Sequence, residues 1–273
     1  MKLKYSWIVF ILSLILLIPV KVYSAVTGND FIIGNISSST SSSIFITVTI
    51  ILVLAIIIMC LISKNVLSSI NLPKNIFCGV MSLLAGIAMI ISGIFDFIYL
   101  IYNMDIKVFF SAITIILSGI AFIFISNIHF KGKNIFISMP LLALLPTIWA
   151  CARLTILFLY NSSVVSGQID MFDIISSVFL ILFFFAQAKI MAYIQDKKLI
   201  QKLFAFGMSS VLMLLLYNLP KIFTITSIFD FSVMYAVDIF LVLYIISLLI
   251  TLSSPSYIDS DQHEYHMYRN HQD

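Results

Sequence analysis

Eight apolar stretches divide this chain, and the short polar gaps between them alternate in lysine content. Length decides what such stretches can become. Seven of them, Ile44–Ser63, Ile76–Tyr102, Val108–Phe130, Ile135–Tyr160, Phe172–Ile194, Leu203–Ile225 and Phe229–Leu252, reach the roughly 20 residues that cross about 30 Å of hydrocarbon. In lipid each segment must satisfy its own backbone groups, so each is expected to be a helix. Alternating strands of about ten residues are missing, which excludes a transmembrane barrel. The 273 residues are 62% hydrophobic and 10% charged, leaving no room for a separate soluble domain. The fold expected is all-α: a polytopic transmembrane bundle of seven or eight helices, with residues 44–252 as its core.

The gaps set its orientation. Lys64 and Lys74, then Lys131 and Lys133, then Lys197, Lys198 and Lys202 fill every second gap. The others hold Asp105 with Lys107, Asp170 with Asp173, and Asp230. The positive-inside rule puts the lysine-rich gaps and the C-terminus in the cytoplasm. Tyr99, Tyr102 and Tyr160 at the outer boundary and Tyr193 at the inner one fit an aromatic belt.

Residues 1–25 read in two ways. Lys2 and Lys4 precede an apolar core, Trp7–Val20, followed by Lys21-Val-Tyr-Ser-Ala. This is either a signal peptide cut near Ser24 or Ala25, or a short first helix with Lys21 snorkelling outward. Residues 26–43 are then an extracellular linker, Ser- and Thr-rich over 37–43, and residues 253–273 a polar, acidic, disordered cytoplasmic tail. Lys-Asn-Ile-Phe occurs at 74–77 and again at 133–136, each time opening a helix from the cytoplasmic side.

Charges inside the spans carry the functional information, because each costs on the order of 2.5–3.5 kcal/mol at mid-bilayer. Lys189 is close enough to the inner end to snorkel. Asp96, Arg153 and Asp238 lie at matched depth in the outer leaflet on three helices, with Asn218 and Lys221 on a fourth. Matched depth predicts pairing. Trp149, one turn before Arg153, is placed for a cation–π contact. Gly79, Gly86 and Gly93 repeat every seven residues, with Asp96 continuing the stripe, and the next helix offers Ala112, Gly119 and Ser126. Small residues at this spacing let two helices approach closely. Pro146 and Pro220 each free a carbonyl one turn earlier, near Leu142 and Leu216.

This constellation reads as an outward-facing polar pocket, with Arg153 for an anionic group or a gating carboxylate and Asp96 and Asp238 for a cation or proton. It also reads as an Arg–Asp staple that holds helices together. Absences narrow the chemistry. No histidine lies within a span away from its ends, and the one glutamate is Glu264 in the tail. Haem, zinc-protease and paired-glutamate sites are therefore not expected. Cys60, Cys78 and Cys151 match no metal or redox spacing and read as packing residues. No catalytic constellation, metal site, cofactor motif or nucleotide fingerprint is present. The net charge of +3 lies in the cytoplasmic loop lysines, which points to anionic lipid headgroups and away from nucleic acid.

The stretch Leu141-Leu-Ala-Leu-Leu-Pro-Thr-Ile-Trp-Ala-Cys-Ala-Arg-Leu, with Phe172-Asp-Ile-Ile and Phe183-Phe-Phe-Ala-Gln-Ala-Lys, resembles an uncharacterised family of bacterial multi-spanning membrane proteins. That resemblance implies a multi-pass protein of the bacterial plasma membrane and carries no activity with it. Two functions remain open. One is a small-solute or ion permease, or its membrane subunit, with the polar site as its binding site. The other is a membrane sensor or accessory subunit acting through a protein partner, without transport.

Overall fold

The computed structural model describes residues 3–27, 40–63, 74–103, 106–132, 134–163, 171–194, 198–224 and 233–253. Most of the Ser-rich linker, the tail from 254 onward, and Lys64, Asp105, Lys133, Asp170, Lys197 and Asp230 lie outside these residues. Among the described residues the protein is all-α. The helices are α1 (Lys4–Thr27), α2 (Thr40–Ile62), α3 (Ile76–Asn103), α4 (Ile106–Lys131), α5 (Pro140–Ala143), α6 (Leu145–Ser163), α7 (Met171–Met191), α8 (Leu199–Thr224) and α9 (Val233–Ser253), with a 3-10 turn at Ile135–Ile137. Seven of them, all but α5 and α6, are long and apolar enough to cross a membrane.

The span expected over Ile135–Tyr160 is the exception, since it is broken into the 3-10 turn, α5 and α6. Two prolines account for the breaks. Met139, ahead of Pro140, leaves helical geometry at φ −132, ψ 70, as the proline ring forces on the residue before it. Pro146 has no N–H for the carbonyl of Leu142. The chain tightens at Leu144, whose N–H donates to Leu141 O at 3.1 Å, and regains the α pattern where Ile148 N–H donates to Leu144 O at 3.0 Å. Pro19 and Pro220 lie within helices that continue past them.

Six helices close into a ring in chain order. α3 packs on α4, α4 on α6, α6 on α7, α7 on α8, α8 on α9, and α9 back on α3. The α1–α2 hairpin sits outside this ring and packs on α8. α8 is therefore covered on both sides: 83% of its span is buried, against 28% for α1 and α2. Ile8, Ile15, Ile51, Ile94 and Ile101 remain exposed on α1, α2 and α3, the surface a bilayer would cover.

Each seam has a readable cause. A Cβ added at Gly86 would lie 2.8 Å from Gly119 O, and one at Gly119 would lie 2.8 Å from Gly86 O. The two backbones touch, and only glycine permits it. On the same seam Ser82 Oγ donates to Phe122 O at 2.9 Å and Ser126 Oγ to Gly79 O at 2.8 Å. The glycine stripe continues with Gly79 against the Phe130 ring and Gly93 against Ile116. On α1 the buried residues are Ser6, Phe10, Ser13, Leu17, Lys21 and Ser24, the three-and-four spacing of a single helix face.

Amide side chains tie down the lysine-rich end. Asn75 Oδ1 accepts from Phe77 N–H at 2.9 Å while its Nδ2 donates to Thr251 Oγ1 of α9 at 2.6 Å. Asn134 repeats the device, accepting from Phe136 N–H at 3.0 Å and donating to Met191 O of α7 at 2.8 Å. Gln201 Nε2 donates to Ser63 O, joining α8 to the end of α2. In both Lys-Asn-Ile-Phe segments the asparagine thus caps the following turn and reaches a second helix.

Candidate functional site: a charge cluster inside the helix ring

Arg153 lies on α6 and is buried. Its Nη1 donates to Asp238 Oδ1 of α9 at 2.6 Å and its Nη2 to Asp238 Oδ2 at 3.0 Å, a two-pronged pair. Nη2 also donates to Asp173 Oδ1 of α7 at 2.9 Å. α6 and α9 are not neighbours in the ring, so the Arg153–Asp238 pair crosses its interior. From α8, Asn218 Nδ2 donates both to Asp238 Oδ2 at 3.1 Å and to Leu214 O at 2.9 Å. Two acceptors fix the orientation of that amide, and its Oδ1 is left buried with no hydrogen-bond partner among the described residues.

Rings and lysines surround the cluster. The Arg153 guanidinium carbon lies 5.9 Å from the centre of the Trp149 ring, within cation–π range. Tyr217 of α8 is within electrostatic reach of Arg153 and carries Lys221 over its ring at 3.5 Å. Lys21 of α1 is buried and sits 4.6 Å from the ring of Phe172, the residue before Asp173.

One turn deeper the ring interior is aromatic. Trp149 packs on Phe184 of α7 at 6.4 Å, Phe184 on Phe122 of α4 at 5.7 Å, and Phe122 on Tyr244 of α9 at 5.5 Å. Beyond it is a second polar group. Gln187 Nε2 donates to Tyr244 Oη at 2.5 Å, and the His129 ring lies 6.1 Å from that of Tyr244. His129 Nε2 is 3.5 Å from Cys78 Sγ. Cys78, His129, Gln187 and Tyr244 are all buried and come from four different helices. Asp238 and Tyr244 are six residues apart on α9, so about 9 Å separates the two groups along the helix.

Of the residues singled out by sequence, Arg153, Asp238, Asn218 and Trp149 come together. Asp96 does not join them: it is half-buried on α3 and accepts a hydrogen bond from Ser111 Oγ of α4 at 3.2 Å. Lys221 is engaged by Tyr217 at the edge of the group. Asp173, read from sequence as a gap residue beside Asp170, is buried and ion-paired. The signal was available, because α7 follows α6 directly and its first turn faces back to the arginine-bearing helix. Cys78 and Tyr244 gave no comparable sign, since neither thiol nor phenol is unusual in an apolar span.

Among the described residues no group of three His, Cys, Asp or Glu side chains converges as a metal centre. Comparison with protein-family models, curated proteins and solved structures gave no match. The fold defines a multi-spanning helical membrane protein, and its lipid partner follows from its spans.

Proposed function

We propose that the chain is a small-cation permease, or the membrane subunit of one, with the Arg153–Asp173–Asp238 cluster as its charged gate on the outward side of the cell membrane. The observation that carries this reading is the composition and place of the cluster. Two carboxylates share one guanidinium inside a helix ring, beside an acceptor, Asn218 Oδ1, that has no partner among the described residues. Intramembrane ionisable groups are expensive, and buried ion pairs give little net stability. With two carboxylates already on Arg153, a cation or proton fits the site better than an anion.

A second reading, a membrane sensor or accessory subunit, is favoured by the burial of Arg153 and Asp238, which suits a dry staple. Ion flux into liposomes separates the two. Purified protein is expected to admit a monovalent cation or protons, and Asp238→Asn to abolish that flux while remaining inserted. Folded protein that passes neither would sink the permease reading and leave the accessory role.

A further inference from the structure

We infer that the permeant or coupling ion is the proton, and that His129, held by Cys78 and Tyr244, is its station at the lysine-rich end of the helix ring. The inference rests on the permease reading and specifies the ion for it.

The ring interior decides the ion. Between the charge cluster and the second polar group it is filled by Trp149, Phe184 and Phe122, each almost fully buried. An alkali cation with even part of its hydration shell would have to part these rings and the helices that carry them. A proton needs only titratable groups on both sides and a transient water between them. Those groups are present. On one side Asp238 and Asp173 face Arg153 from α6, Asn218 and Tyr217 from α8, with Lys21 and Lys221 near the rim. On the other, His129 faces Cys78 from α3 and Tyr244 from α9, with Gln187 of α7 bonded to the Tyr244 hydroxyl and Lys131 following on its own helix.

Imidazole suits this place because its two nitrogens are distinct and it titrates near neutral pH. A proton taken up at one nitrogen and released from the other leaves the ring neutral in its opposite tautomer; a flip of the ring then restores the starting form, and nothing is consumed. His129 lies two residues from the end of α4, beside the Asn75–Thr251 tie. Asn75 N–H donates to its carbonyl oxygen at 3.2 Å, which fixes the backbone under the ring. The position is close to the aqueous boundary, yet the side chain is turned inward and buried.

The test uses full-length protein in liposomes with a trapped pH dye and a potassium diffusion potential, read in parallel with sodium uptake. Wild type should pass protons at a rate that changes with pH between 5 and 8. His129→Gln should lower proton flux at least tenfold, and Tyr244→Phe should lower it less. Sodium flux without proton flux would overturn the proton assignment while keeping the permease. Proton flux in His129→Gln equal to wild type, or a wild-type rate independent of pH between 5 and 8, would overturn the role of His129. Because that pH profile is measured on the wild type, it decides the matter even where the variant does not fold. Absence of every ion flux would instead remove the permease reading itself.

Discussion

Replacing Arg153 with leucine removes three charge-assisted hydrogen bonds at 2.6, 2.9 and 3.0 Å. Each is worth roughly 1.5–3 kcal/mol before desolvation is counted. The greater consequence falls on the partners. Asp238, 1% exposed at its side chain, would keep only the 3.1 Å bond from Asn218. Stranding one member of a buried pair costs about 3–5 kcal/mol, and Arg153→Leu is expected in that range. Asp173→Asn should cost less, about 1–2 kcal/mol, since Arg153 retains both bonds to Asp238. Arg153→Leu/Asp238→Leu should recover part of the loss, because an apolar pair of similar volume is often neutral or better than a buried ion pair, while buried Asp173 is still left without its guanidinium. Reversible unfolding in mixed micelles, run as a double-mutant cycle on these variants, gives the coupling energy directly. A single-mutant cost below about 1 kcal/mol, or a double mutant as unstable as the sum of the singles, would refute the reasoning.

Further expectations concern the helix seams. Gly119→Ala should destabilise by about 1–3 kcal/mol, because its methyl group would meet the Gly86 carbonyl. Gly79→Ala should be milder, since the Phe130 ring that it meets is 41% exposed and can turn aside; equal midpoints for the two variants would contradict this. Asn75→Ala should cost about 1–2 kcal/mol through loss of the α3 cap and of the tie to Thr251, measured by the same unfolding assay. The α1 face of Ser6, Phe10, Ser13, Leu17, Lys21 and Ser24 is buried. Membrane-purified protein should therefore retain residues 1–25, and an intact mass lacking them would show that this segment is a cleaved leader.

Apolar run length carried the helical class, because the bilayer leaves the backbone few choices. Depth matching then brought Arg153 to Asp238 and Asn218, as depth along a helix is simply residue count. Azimuth is not, and it misplaced Asp96: the glycine stripe on α3 faces α4, so the aspartate that continues it meets Ser111 instead of the ring interior. Asp173 was hidden by the opposite error, since its place in a first helical turn resembles an exposed cap. The break at Leu144 was half visible in Pro146, but that a second proline at 140 would split the segment twice depended on the local backbone. The Cys78–His129 contact joins residues 51 apart and depends on the register in which α3 packs on α4.

The order of the helices around the ring also sets an order of assembly. Asp173 is 20 residues from Arg153, and Asp238 is 85 residues away. During synthesis, which proceeds from the N-terminus, the guanidinium gains its nearer carboxylate as soon as the α6–α7 hairpin is in place. Its two-pronged partner arrives only with α9, the same helix that closes the ring against α3. A chain interrupted before α9 would hold an arginine with one of its three bonds, and open seams on α3 and α8. In that order of synthesis, Asp173 is the carboxylate available to pair with the arginine until α9 arrives.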